Sequence, residues 1–315
     1  MRGTNRVYPA PAKLNLFLHV VGRRDDGYHL IQSVMQLIDL ADDVTITPNA
    51  DGRIARDGDV PGVAEDDDLT IRAARLLQAA SGVTDGATIG IVKRIPIGGG
   101  LGGGSSDAAT VLLALNRLWG LDWPRERLMA LGLRLGADVP FFIGGTAAFA
   151  EGIGERLTPI SLPKSHYVLV HPGVSVPTAA IFGATELTRD TEVIRLLDFS
   201  KNGSAGIDTP PTGSGVRAES HAGPGVFRND LEPVVRTRFD VVREALDWLS
   251  PRNDDDWAGA LGLARMSGSG ACVFRAFDST THAAACIAAL PAQWTGWMVR
   301  SLETHPLMDP VAMRQ

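Results

Sequence analysis

Six glycines fill seven consecutive positions from Gly98 to Gly104, flanked by Pro96 and Ile97 before them and by Ser105, Ser106 and Asp107 after. A fold holds such a run only where its backbone turns tightly or approaches another group closely, because glycine loses the most freedom on ordering. Residues 87 to 95 before it are β-branched and apolar, as in a strand. After it, Ala108, Val111, Leu112, Leu115 and Trp119 recur at helical spacing up to Gly120. A glycine-rich turn between strand and helix suits an oligophosphate: its N–H groups face inward without Cβ clashes, and the helix start adds its positive dipole end. Ser105 and Ser106 stand at that start, where a hydroxyl either caps backbone donors or reaches a phosphate oxygen or a bound Mg²⁺.

Two common phosphate loops fit poorly. The P-loop needs a lysine before its hydroxyl residue, and here Gly104 precedes Ser105. Gly98, Gly100 and Gly103 meet the dinucleotide pattern G-x-G-x-x-G, but so dense a run matches many patterns by chance, and a Rossmann fingerprint opens its unit near the start of the fold. A nucleotide-dependent oxidoreductase therefore stands as the alternative class, with a non-catalytic nucleotide sensor beside it.

With 315 residues, 44% hydrophobic and 21% charged, the chain has the composition of a globular protein of two domains. Its net charge of −6 gives a polyanion no global attraction, so no nucleic-acid partner is expected. No apolar run is long enough to span a membrane, and Arg2, Arg6 and Pro9 interrupt any signal-peptide core, so a cytoplasmic protein with no membrane partner is expected. Cys272 and Cys286 are too few for a disulfide framework or zinc site and read as small core residues.

Along the chain, residues 12 to 20 alternate, with Leu14, Leu16, Leu18 and Val20 on one face and Lys13, Asn15, Phe17 and His19 on the other. Residues 22 to 27 read as a turn, and Asp42-Asp43 as the start of another before a strand at 44–46. Residues 69 to 80 form an amphipathic helix, and a further helix runs from Pro124 to Gly136. A domain boundary falls at 153–165, which divides the chain into residues 1–158 and 159–315. The second part offers a strand at 167–171, a helix from Thr178, a helix from Leu231 that carries Val235, Phe239, Val242 and Leu246, a strand at 271–277, a helix at 280–290 and a strand at 297–302. This mixture without strict alternation is α+β. Residues 201–226, rich in Gly, Ser and Pro, read as a mobile loop.

Several polar residues allow two readings. Asp138, two residues before Pro140, is either the N-cap of a short helix or a carboxylate base. Lys13, in an otherwise apolar strand, either lies on an exposed sheet face or meets a carboxylate or ligand. Tyr28 and His29 are either half-buried strand residues or a ligand wall, and Thr178 and Phe182 either a cap and a core aromatic or part of that wall. Lys93 either serves the nucleotide or sits on an exposed strand.

The run from Pro96 through Ser106 is similar to the glycine-serine motif of the GHMP small-molecule kinases, P-x-x-x-G-L-[GS]-S-S. The likeness extends to Pro11-Ala-Lys-Leu-Asn-Leu-Phe-Leu18, Gly27-Tyr-His29, Leu135-Gly-Ala-Asp-Val-Pro-Phe-Phe142 and Met266-Ser-Gly-Ser-Gly-Ala-Cys-Val-Phe274, in the family's order. It thins between residues 187 and 226 and near the C-terminus. The resemblance implies an ATP domain of the ribosomal-protein-S5-domain-2 type and a ferredoxin-like substrate domain, with ATP and Mg²⁺ as cofactors. It implies that residues 96 to 106 (Pro96, Ile97, Gly98, Gly99, Gly100, Leu101, Gly102, Gly103, Gly104, Ser105 and Ser106) bind ATP, and that Asp138 acts on the acceptor hydroxyl beside Lys13. It further implies that Asn15 meets the substrate, that Gly268-Ser269 closes over the phosphates, and that Tyr28, His29, Thr178 and Phe182 line a cytidine pocket. The triplet at 27–29 points to the branch whose acceptor is a cytidine-diphosphate alcohol of methylerythritol; other branches act on homoserine or mevalonate. One departure is Asp68, where the family more usually has an asparagine that meets the base. An ionised carboxylate cannot donate, which puts adenine recognition by this residue in doubt.

Overall fold

The computed structural model describes residues 6–60, 62–196, 227–250 and 257–308. The glycine- and proline-rich stretch 201–226 lies outside them. Two antiparallel-rich sheets organise the chain. The first contains β1 (Arg6–Arg23), β2 (His29–Asn49), β3 (Ile54–Asp57), β4 (Gly86–Val92), β5 (Ala148–Glu151) and β6 (Arg156–Pro159). Its order is β3-β4-β2-β5-β6, with β1 along the other edge of β2 and β3 parallel to β4. The long β2 pairs with β1 throughout, with β5 at residues 33–35 and with β4 at 43–49. Against this sheet pack α1 (Leu69–Ser81), α2 (Gly103–Leu118), α3 (Arg125–Gly132) and α4 (Val139–Gly144).

The second sheet has β7 (His166–His171), β8 (Ala260–Met266), β9 (Val273–Phe277) and β10 (Thr295–Arg300) in the order β10-β7-β9-β8. Helices α5 (Thr178–Phe182), α6 (Glu232–Arg238), α7 (Asp240–Leu249) and α8 (Thr280–Ala288) complete a β-α-β-β-α-β arrangement, the ferredoxin-like pattern. The fold is thus α+β, with two units. Between the sheets lies a third apolar cluster, in which Leu14, Leu16 and Phe17 of β1 join Tyr167, Leu169 and Phe274 of the second sheet. Burying each such side chain contributes roughly 1.5–3 kcal/mol. The chain finally returns to the first unit: Leu302 N–H donates to Leu37 O, His305 N–H to Gly145 O, and Leu307 enters the first core. Among the described residues no helix is long and apolar enough to cross a membrane.

Several elements differ from expectation. Asp42-Asp43 begins no turn but lies inside β2, because Asp42 is buried with its carboxylate accepting from the N–H groups of Arg94 and Ile95. The alternation along β1 breaks at a register shift between Asn15 and Phe17, which turns Phe17 into the cluster of Leu14 and Leu16 and moves Leu18 and Val20 to the other core. The helix from Leu231 is two helices, since Phe239 adopts an extended backbone with φ −130°. The helix after Pro124 ends at Gly132, not Gly136. Cys272 and Cys286 are buried and unpaired, as core residues should be.

Candidate active site

The glycine run leaves β4, crosses the open end of the first sheet and enters α2. Gly102 is the N-cap of α2 with φ +71°, and a Cβ there would stand 2.9 Å from the Phe142 ring and 3.3 Å from Lys13 Cε. At Gly100 (φ +74°) a Cβ would lie only 2.0 Å from the carbonyl oxygen of Ser267. The glycines therefore allow close packing against the protein itself as well as room for phosphate. Four bonds clamp the loop to the second unit: Val176 N–H and Ala271 N–H to Gly98 O, Cys272 N–H to Gly99 O, and Ser267 Oγ to Gly100 O. The N–H groups of Gly103, Gly104 and Ser105 open α2 and have no helical acceptor, which is the arrangement that suits an anion.

Ser105 lines the cavity at this end. Ser106, also expected to bind the cofactor, is fully buried and donates its hydroxyl to Pro11 O at 2.7 Å. Helix periodicity turns it toward β1 while Ser105 faces out.

Lys13 is only 4% exposed, which settles the choice between a free sheet face and a partnered lysine. Its Nζ lies 3.6 Å from Asp138 Oδ2 and donates to Asn15 Oδ1. Asp138 stands at the N-cap position of α4 without making a capping bond, which leaves its carboxylate to the lysine and the cavity. Asn15 Nδ2 donates to Ser33 Oγ at 2.8 Å, and that hydroxyl donates to Phe17 O at 2.6 Å. Asn15 lines the cavity, but both ends of its amide are engaged, so its first task is to hold Lys13 in place.

A cavity of about 1020 Å³ runs from the loop past Lys13 and Asp138 to Tyr28, His29, Thr178 and Phe182. This is at the upper end of the ~300–1,000 Å³ typical of small-molecule sites. Tyr28 is 60% exposed at the rim, and the His29 ring sits 5.1 Å from that of Phe182 with a 35° tilt. Thr178 Oγ1 is 2.7 Å from Ser269 Oγ, which joins α5 to the 268–271 turn. Burial, with the Arg189 and Arg23 charges adding, holds His29 below the usual imidazole range.

Asp68 caps α1, accepting from Thr70 N–H and Thr70 Oγ1, and also takes a bond from Arg56. Lys93, Asp42 and Asp107 form a buried triad below the loop, with Lys93 Nζ bonded to both carboxylates. Burial opposes the Lys93 charge, but the two carboxylates outweigh it and raise its pKa; burial chiefly raises that of Asp107. Sequence reasoning missed Asp42, Asp107 and Arg189. Asp107 directly follows the serines, the one signal that marked it; Asp42 looked like a turn residue, and Arg189 lies in a stretch without periodicity.

Residues 68–146 match the family described as GHMP kinases N terminal domain, and residues 218–296 match GHMP kinases C terminal. The chain is 54% identical over 305 residues to a 4-diphosphocytidyl-2-C-methyl-D-erythritol kinase of Thiobacillus denitrificans, covering 97% of this chain and 98% of the relative. To one of Ralstonia pickettii it is 54% identical, with 95% and 94% covered. Among solved structures, a 4-(cytidine 5'-diphospho)-2C-methyl-D-erythritol kinase superposes with a TM-score of 0.76 at 34% identity, over 94% of this chain and 99% of that one. A homoserine kinase from Cytophaga hutchinsonii, at 17% identity and a TM-score of 0.63 over 96% and 95% of the two chains, shares the fold.

Proposed function

The chain belongs to the GHMP kinase family, and on that premise we propose that it transfers the γ-phosphoryl group of ATP to the 2-hydroxyl of 4-diphosphocytidyl-2-C-methyl-D-erythritol, in isoprenoid precursor synthesis. The observation that carries this reading is the Lys13–Asp138 pair on the wall of the same cavity that holds the glycine loop at one end and the aromatic wall at the other. Relatives that bear this activity in their names match nearly the whole chain. The proposed units are residues 1–158, which supply the ATP loop, and residues 159–315, with the reaction placed in the cytoplasm.

Asp138 takes the proton of the acceptor hydroxyl as its oxygen bonds to the γ-phosphorus and the bond to ADP breaks. Lys13 stabilises the charge that grows on that oxygen. The N–H groups at the start of α2 hold the phosphates. Mg²⁺, when bound, neutralises phosphate charge and needs only one or two protein oxygens, since phosphates and water supply the rest. The Ser105 hydroxyl on the cavity wall, without a hydrogen-bond partner among the described residues, fits that requirement. Tyr28 and Phe182 supply apolar faces for the cytosine ring. The test is to incubate the protein with Mg·ATP and a panel of cytidine-linked, uridine-linked and free alcohols and to measure ADP release. Release with the cytidine-linked acceptor above all others is expected; equal use of homoserine, mevalonate or free methylerythritol phosphate would remove the assignment.

A further inference from the structure

Arg189 ties together the two walls of the aromatic pocket. Its Nε–H donates to His29 Nε2 at 3.0 Å. Nη1 donates to Leu187 O at 3.0 Å, and Nη2 to the carbonyls of Phe182 and Ala184. His29 opens β2 in the first unit, whereas the three carbonyls belong to α5 and the turns after it in the second. One half-buried guanidinium therefore fixes the His29 ring against Phe182, 5.1 Å away.

The direction of that first bond has a chemical consequence. A guanidinium has donors and no acceptor, and it stays charged in proteins, so His29 Nε2 must present a lone pair. A neutral imidazole carries a single ring proton, which then resides on Nδ1. The His29 ring thus offers a ligand in the cavity one donor, Nδ1–H. Cytosine has acceptors at N3 and O2; uracil carries a proton on N3. A ring donor aimed at N3 meets the acceptor of cytosine and leaves the N–H of uracil opposed, whereas the O2 acceptor that both bases share does not tell them apart.

We infer that Arg189 is a positioning residue that determines acceptor specificity: it locks His29 in the Nδ1–H tautomer beside Phe182, so that the pocket accepts a cytosine-bearing and rejects a uracil-bearing nucleoside diphosphate. The inference rests on the acceptor proposed above. It adds a residue outside the motifs quoted above and a mechanism that acts through His29.

The test has two independent arms. In the first, ¹⁵N–¹H long-range spectra of the ring nitrogens of His29 in the folded parent protein should show an unprotonated Nε2 and a protonated Nδ1. Arg189→Met should move the proton toward Nε2. In the second, Arg189→Met should lower the cytidine-to-uridine ratio of kcat/KM by about tenfold or more and raise the acceptor KM by a similar factor, with the ATP KM within about twofold. Should that variant fail to fold, Arg189→Lys carries the same comparison, because it keeps the charge and lacks the planar fork. A protonated Nε2 in the parent, or an unchanged cytidine-to-uridine ratio in a folded variant, overturns the inference. No turnover of any cytidine-linked acceptor by the parent overturns the acceptor assignment and the specificity claim with it, and an Nδ1–H spectrum in that case locates the failure in the assignment.

Discussion

Replacing Asp138 with asparagine separates chemistry from architecture. The side chain keeps its volume, and α4 loses no cap because the carboxylate makes no capping bond. What changes is the group facing Lys13 at 3.6 Å and its capacity to take a proton. Lys13, with 5% of its side chain exposed, keeps the bond to Asn15 and loses an ionic partner whose own side chain is 31% exposed. Since that partner is screened by solvent, the stability cost should be about 1 kcal/mol, well below the several kcal/mol of a fully buried pair. Loss of the base should lower kcat by about 10²–10⁴-fold, a barrier increase of roughly 3–5 kcal/mol. The rate should therefore fall far more than the fold weakens. Three measurements check this: steady-state ADP release with the cytidine-linked acceptor, ATP affinity by equilibrium titration, and the urea midpoint. ATP affinity should stay within about threefold, because the phosphate donors of α2 are untouched. Turnover within about tenfold of the parent would refute the assignment of the base, whatever the stability result.

Gly100→Ala drives a Cβ into the Ser267 carbonyl and should lower both the melting temperature and ATP affinity, whereas Gly104→Ala, whose Cβ meets only Leu69 Cδ1 at 3.4 Å, should leave the melting temperature in place. Equal melting curves for the two would disprove the clamp between loop and turn. Tyr28→Ala should raise the acceptor KM by about ten- to a hundred-fold through loss of one stacking face. Its exposed position predicts a stability change within about 0.5 kcal/mol, and an unchanged KM would place the base elsewhere. Burial, with Arg125 adding, pushes the His305 pKa down to about 3. A folded value below the unfolded ~6.5 means that the neutral ring's contribution is complete above pH 6.5 and fades as pH falls toward 3. The unfolding free energy from urea titration should therefore drop between pH 7 and pH 4.5 on the order of 2 kcal/mol further for the parent than for His305→Asn, and parallel drops would contradict this.

The cradle and its helix were legible because six glycines in seven positions and a 3.6-residue apolar period are local properties. The ferredoxin-like order of the second unit came from the family likeness; the strand β8 and the short β3, β5 and β6 carry too few residues or too mixed a pattern to announce themselves. Asp42 shows why local reading fails: a pair of aspartates favours a turn, and only partners some fifty residues on, the N–H groups of Arg94 and Ile95 and the ammonium of Lys93, make a buried carboxylate acceptable within a strand. Ser106 shows a finer limit. Both serines fit the motif, and the helix phase, set by where α2 begins, decides that one faces the cavity and the other Pro11. Arg189 was invisible because three of its four acceptors are carbonyls at the end of α5 and in its own irregular stretch, and the fourth, the His29 ring, is brought up from the other unit.

The bonds from residues 267–272 to the carbonyls of Gly98, Gly99 and Gly100 bear on how the protein is made. A peptide unit points its carbonyl and its N–H in opposite directions, so anchoring the carbonyls on one side aims the donors to the other. The Ser267–Gly100 bond joins residues 167 positions apart. The proposed nucleotide seat, contiguous on paper, is therefore completed only when the distant strand pair emerges from the ribosome. A nascent chain stalled at residue 250 would display every glycine of the motif and still grip ATP poorly, and nucleotide cannot serve as an early folding template for the N-terminal half.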